Sequence, residues 1–267
     1  EMKSKAMEEM ELNVIAQDLW KEELKWRKDP DNAHDVKVEQ EMYKELNKLG
    51  FEFFWYAQFQ PTVFTKKDKA VIPIFIKYSE RFNDQWRRYH YLHCLGVQGF
   101  YEATEYLINE YKKFMPPHYD EETLNTVSQA IMRIRDPRYI DTYLSFLNDD
   151  VIVYESVYMV MLLGYLRAKK AIPRLIELLD HVSKIPELYY GSGLEDCKYH
   201  ISQYAITALS MFKDPGLIKY IEKFLEPEKL PWINFVESKY QKSNYKDVYK
   251  KYKKITSVSI QKMSSGK

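Results

Sequence analysis

The chain has 267 residues, of which 45% are hydrophobic and 30% charged, with a formal net charge of +1. That is ample for a sizeable core, and two cysteines, Cys94 and Cys197, are too few for a disulfide framework, so a reducing, cytoplasmic setting is expected. Residues 1–11 are charged and lack the apolar stretch of a secretion signal, and the greasiest run, 157–166, is half a membrane span, so no membrane insertion is expected.

Glycine is scarce, at 8 residues, tyrosine is common, at 23, and apolar residues recur at intervals of three and four, which predicts an all-helical chain. Residues 1–65 read as N-terminal capping helices. One is expected to run to Arg27 and stop at Asp29-Pro30. A second spans about Asp35 to Leu49 and ends at Gly50. FEFFWYAQF follows, six aromatics among the nine residues Phe51 to Phe59. It reads as a core segment sealing the first repeat, with an aromatic binding platform as the alternative.

Residues 66–230 repeat. AVIPIFI at Ala70 is echoed by AIPRLIELL at Ala171, and Ile72, Thr104, Ile140, Ile172 and Ile218 occupy equivalent positions at intervals of 32, 36, 32 and 46 residues. Helix-forming segments headed by Arg87, Leu124, Glu155 and His200 precede the later copies. Intervals of this size suit a two-helix repeat. Asp136-Pro137 and Asp214-Pro215 fall at matching places, with Asp suited to cap a helix and Pro to its first position. Acidic clusters at Asp120-Glu121-Glu122, Asp149-Asp150 and Glu195-Asp196 precede first helices, and Arg133, Arg135, Arg167, Lys169, Lys170 and Lys213 lie at their far ends, complementing helix dipoles.

DPRYIDTYLSFL and LLGYLRAKKAIPRLIELL resemble HEAT repeats of the short, HEAT-like type found in phycobilisome lyases, over about Asp68 to Glu226. Arg135 and Lys213 stand where that pattern carries glycine. The resemblance implies an all-α, α-α superhelix: an α-solenoid of about five helical hairpins with capping helices at both ends.

Residues 231–267 form a basic, Tyr- and Lys-rich end. From 239 onward there are nine lysines and one aspartate, a balance of +8, so the preceding 238 residues carry −7. Tyr245, Tyr249, Tyr252 and Ile255 predict an apolar stripe on a last helix, with 256–267 expected to fray.

Few residues suggest chemistry. His90, His93 and Cys94 share one helix turn, the spacing of metal ligands, but no second pair completes a zinc set, so structural roles are expected and no cofactor is assigned. Cys197 with His200 lacks an oxyanion donor loop, and no phosphate-binding or nucleophile-elbow motif occurs. An inserted loop, KIPELYYGSGLED, brings Tyr189 and Tyr190.

The sequence therefore predicts a non-enzymatic scaffold gripping a protein partner, for instance as an immunity-type or regulatory inhibitor. It would act through the outward positions Lys77, Arg81, Tyr106, Asn109, Thr142, Ser145, Arg174, Glu177, Tyr220 and Lys223 of the second helices, joined by Tyr189 and Tyr190. Their mixed signs suit a protein better than a phosphate track. The alternative is a nucleic-acid-binding or glycosylase-like repair protein, acting through the basic turns and C-terminal lysines.

Overall fold

The computed structural model describes residues 14–148, 152–180, 200–230 and 245–265, and all regular structure among them is helical. Two compact units divide the chain. The first comprises residues 1–114 and 118–134, the second 115–117 and 135–267.

The first unit contains α1 (Val14–Lys28), α2 (Ala33–Asn47), α3 (Val71–Ser79), α4 (Gln85–His93), α5 (Thr104–Lys113) and α6 (Glu121–Ile134). Asp84 caps α4 by accepting the Arg87 N–H at 3.1 Å, and Asp120 accepts the Thr123 N–H at 3.0 Å in the first turn of α6. Helix α3 packs on α2 and α4, and α6 packs on α4 and α5. The shared core includes Met42, Leu46, Phe75, Leu92, Leu107 and Val127, all fully buried. Phe51–Phe59 forms no long helix. Phe53, Trp55 and Phe59 are buried, and Phe59 lies edge-on to Phe75 and Tyr91 at 5.9 and 5.0 Å. Three of the six aromatics are thus core, while Phe51, Phe54 and Tyr56 stay partly exposed.

The second unit contains α7 (Ile140–Ser145), α8 (Ser156–Tyr165), α9 (Ile172–Leu178), α10 (His200–Ser210), α11 (Ile218–Ile221) and α12 (Tyr245–Ser264). Helix α10 packs on α8, α9 and α12, and α7 packs on α8. The expectation that residues 256–267 fray is wrong up to Ser264, where α12 ends. Its buried stripe is Tyr252, Thr256, Ser259 and Met263, at intervals of four, three and four. The small hydroxyl residues let this helix lie close against its neighbours, and Tyr252 hydrogen-bonds Ser202 on α10 and stacks on Phe224. Tyr249 and Ile255 of the expected stripe are half-buried.

One turn recurs in both units. Gly99, Arg135, Arg167 and Lys213 adopt positive φ of 95°, 59°, 46° and 54°. Each is followed by a short 3-10 turn (Tyr101–Ala103, Pro137–Tyr139, Lys169–Ala171, Pro215–Leu217) that runs into α5, α7, α9 or α11. Their spacings of 36, 32 and 46 are those of the sequence repeat. Asp136 and Asp214 cap the 3-10 turns, accepting the Arg138 and Gly216 N–H groups at 3.0 and 2.8 Å.

Three residues before two of these turns, glycine permits a close helix crossing. A Cβ at Gly164 on α8 would sit 2.8 Å from the Ala208 Cα on α10, and one at Gly96, just beyond α4, would sit 2.9 Å from the Ala130 Cα on α6. The obstacle is backbone, so the helices themselves would have to part. Gly164→Ala should cost about 1–3 kcal/mol, read as a lower urea midpoint at constant slope. An unchanged midpoint would mean that the crossing is slack.

Candidate functional site

The ten described positions expected to face outward are all solvent-accessible to some degree, and none is buried. In the first unit Lys77 donates to Glu45 at 2.7 Å and Arg81 to Glu41 at 2.7 Å, both carboxylates coming from α2. Tyr78 also donates to Glu45, at 2.8 Å, while Lys77 and Arg81 lie 4.7 and 5.0 Å from its ring centroid. The Tyr106 hydroxyl on α5 reaches Ser79 at 3.2 Å, which joins α5 to α3, and Asn109 is exposed one turn further on. These pairings hold Glu41 and Glu45 below the usual carboxylate range, through hydrogen bonds from Arg81 and from Lys77 and Tyr78 respectively.

In the second unit Arg174 donates from Nε to the Leu147 carbonyl at 2.9 Å and from Nη1 to Glu177 at 2.9 Å. The half-buried Arg174 therefore ties α9 to the residues just after α7 as well as facing outward. Lys223 donates to Asp180 at 2.6 Å, and Ser145 to the Thr142 carbonyl at 2.7 Å. Tyr220 is half-buried beside the exposed Lys219, whose ammonium is 4.9 Å from its ring centroid. Tyr189, Tyr190, Cys197 and the clusters Asp149-Asp150 and Glu195-Asp196 lie outside the described residues.

Beneath the first surface lies a buried ionic cluster that local sequence patterns do not reveal. Arg87 on α4 donates to Glu39 at 2.9 Å and to Glu23, and Arg27 donates to Glu23 and Glu39 at 2.6 Å each. Tyr91 donates to Glu39, and its hydroxyl meets that of Tyr43 at 2.7 Å. The Arg87 guanidinium lies 3.9 Å from the Trp26 ring centroid and 4.3 Å from that of Tyr56. Two carboxylates and two guanidiniums sum to zero charge. Burial pushes the Glu39 carboxyl up despite both arginines, whereas Arg87 is raised because the carboxylates outweigh its own burial. The cluster joins α1, α2 and α4, and its members are occupied with one another.

His90 and His93 line a cavity of about 140 Å³ with Trp86, Tyr89, Asp120 and Glu122. His90 Nε2 lies 3.0 Å from the Tyr56 carbonyl and so carries the proton, and its ring stacks on Trp86 at 5.1 Å. His93 Nε2 accepts from Arg133. Burial, and then the Arg133 charge, pushes His93 down to about 4. Cys94 is fully buried, its thiol raised by desolvation and directed at the His90 carbonyl at 3.7 Å. Among the described residues no three His, Cys, Asp or Glu side chains converge as metal ligands.

A second cavity, of about 360 Å³, opens in the second unit between Tyr165, Arg167, Met211, Lys213 and Lys262. Arg135 lies over Tyr165, 4.0 Å from its ring centroid. The cations at 135, 167 and 213 are legible in the sequence as helix-end charges. Their left-handed backbone, and the arrival of Lys262 from α12, are not.

No helix among the described residues is long and apolar enough to cross a membrane. Comparison of the chain with protein-family models, with curated proteins and with solved structures finds no match in any of the three.

Proposed function

We propose that the protein is a non-enzymatic, cytoplasmic binding module for a protein partner, built as a HEAT-like α-solenoid and using the outward faces of its second helices. The observation that carries this reading is the pre-paired, mixed-sign surface around Lys77, Arg81, Glu41 and Glu45, with the half-buried Tyr106 on the neighbouring helix, repeated in kind at Arg174, Glu177, Lys223 and Asp180 beside the half-buried Tyr220. Charges held in place by their own partners and interleaved with tyrosine provide oriented polar contacts and rigid apolar area at low entropic cost. A phosphate track would instead present cations of one sign.

The test is affinity capture from native lysate with and without nuclease, using wild type and the exposed-face variants Asn109→Trp and Lys223→Glu. The expected result is a stoichiometric protein, retained after nuclease and reduced at least about tenfold by one of the variants, with helicity and melting unchanged. A captured protein indifferent to both variants would remove these faces from the interaction. Capture only of nucleic acid, falling steeply with salt, would overturn the reading.

A further inference from the structure

Among the described residues of the second unit, one group of cations meets no carboxylate. Arg138, Lys170, Arg174 and Lys223 each meet a carboxylate, of Asp136, Asp141, Glu177 and Asp180 respectively. Arg135, Arg167, Lys213 and Lys262 form no ion pair with a described residue, and the last three are exposed around the 360 Å³ cavity. Arg135 adjoins them through Tyr165, which is 39% exposed. The volume falls in the range of about 300–1,000 Å³ typical of small-molecule sites.

Helix dipoles explain part of this charge. Each of these residues stands at or near the C-terminal end of a helix, where backbone carbonyls contribute about half a negative charge. Four such ends offset about two of the four positive charges, so about half of the positive charge remains. Nor does the dipole account for the backbone. Arg135, Arg167 and Lys213 adopt a left-handed conformation that is costly for any residue bearing a Cβ, whereas the equivalent turn of the first unit uses Gly99. Three successive turns therefore place a long cation where glycine would be easier, and strain retained in this way tends to mark a ligand clamp.

We propose that this cavity binds an organic phosphate. Arg167, Lys213 and Lys262 hold the phosphate groups, and the organic body rests against Tyr165 and Met211. Arginine supplies a planar, two-pronged donor to phosphate oxygens and lysine a mobile point charge. Arg135 on one face of Tyr165 fixes that ring as a wall, and Met211 offers a deformable apolar contact. The site is independent of the second-helix faces proposed to grip a protein.

The test is isothermal titration calorimetry of the full chain with pyrophosphate, ATP and a 20-nucleotide oligothymidylate, each metal-free. We expect one-to-one binding of ATP, weaker binding of pyrophosphate, and at least about a tenfold loss of ATP affinity in Arg167→Gly/Lys213→Gly. The same double variant should melt no lower than wild type, because glycine relieves the left-handed turns; a purely structural role as helix-end charges predicts a lower melting point instead. Lys262→Gln, on the exposed face of α12, keeps the test decisive should the double variant fail to fold, and it too should weaken ATP. The proposal is overturned if neither ATP nor pyrophosphate gives saturable heat, or if Lys262→Gln and the double variant bind ATP as wild type does. Binding of the oligothymidylate without ATP would overturn it in favour of a polymer track.

Discussion

Arg87→Met should remove about 3–5 kcal/mol of stability. Arg87 is only 4% exposed and is the one residue of α4 that reaches both Glu23 and Glu39. Methionine keeps much of the packing against Trp26 but leaves Arg27 alone against two buried carboxylates. The net charge of the cluster changes from zero to minus one in a place that water does not reach. A typical domain has about 5–15 kcal/mol in all, so the variant would sit near its unfolding threshold. The pH dependence identifies the cause. Burial already raises the folded pKa of Glu39, and a buried acid of raised pKa destabilises progressively as pH rises above its unfolded value of 4.5. Without Arg87 that pKa rises further, so the deficit of the variant should shrink on acidification and be largest at neutral pH. In Arg87→Met/Glu39→Gln the second change should recover part of the loss, which equilibrium urea unfolding measures as a coupling between the two sites. A deficit below about 1 kcal/mol, or one independent of pH, would show that the cluster is not held by charge.

The contrast between this cluster and the repeat shows what a linear sequence exposes. Ile72, Thr104, Ile140, Ile172 and Ile218 are matched by the residues around them, and Thr104, Ile140, Ile172 and Ile218 each open a helix directly after a 3-10 turn. Asp136-Pro137 and Asp214-Pro215 are legible for a similarly local reason: the carboxylate caps a turn two residues away. Glu23 and Arg87 are 64 residues apart, and on α1 a glutamate among Lys21, Glu22 and Lys25 looks like one more solvated charge. Leu19, Trp20 and Trp26, one turn away, mark an apolar side of the helix, but nothing local to Glu23 shows that Glu39 and Arg87 meet it there. The second half of the last helix was obscured by composition. Thr256, Ser259 and Val258 have modest helix propensity, and a search for large apolar residues passes over a seam made of hydroxyls. The left-handed turns were half legible: Arg135 and Lys213 visibly replace glycine, but only the backbone shows that they keep its conformation.

Acidification should expose His93 as a second point of weakness. Its folded pKa is about 4 against an ordinary value of 6.5, so between those two the unfolded chain binds a proton that the folded chain refuses. The stabilisation is complete above pH 6.5 and is lost as pH falls towards 4, and the full difference corresponds to roughly 3 kcal/mol. The causes act in one direction. Desolvation comes first, the Arg133 guanidinium on α6 opposes a second positive charge, and His90 on the same helix adds to it. His90 is itself pushed down by burial, while the cavity carboxylates Asp120 and Glu122 are the groups that could accommodate a protonated ring. His93→Gln retains an acceptor for Arg133 and cannot titrate. At pH 7 it should lie within about 1 kcal/mol of wild type, yet it should lose markedly less stability between pH 6.5 and 4.5. Comparing the two proteins removes the acid sensitivity that the carboxylates elsewhere give to both. The imidazole resonances of His93, followed by NMR in the folded protein, should shift with a midpoint near 4. A midpoint near 6.5 would mean that Arg133 swings away and water enters the cavity, and the two stability curves would then run parallel.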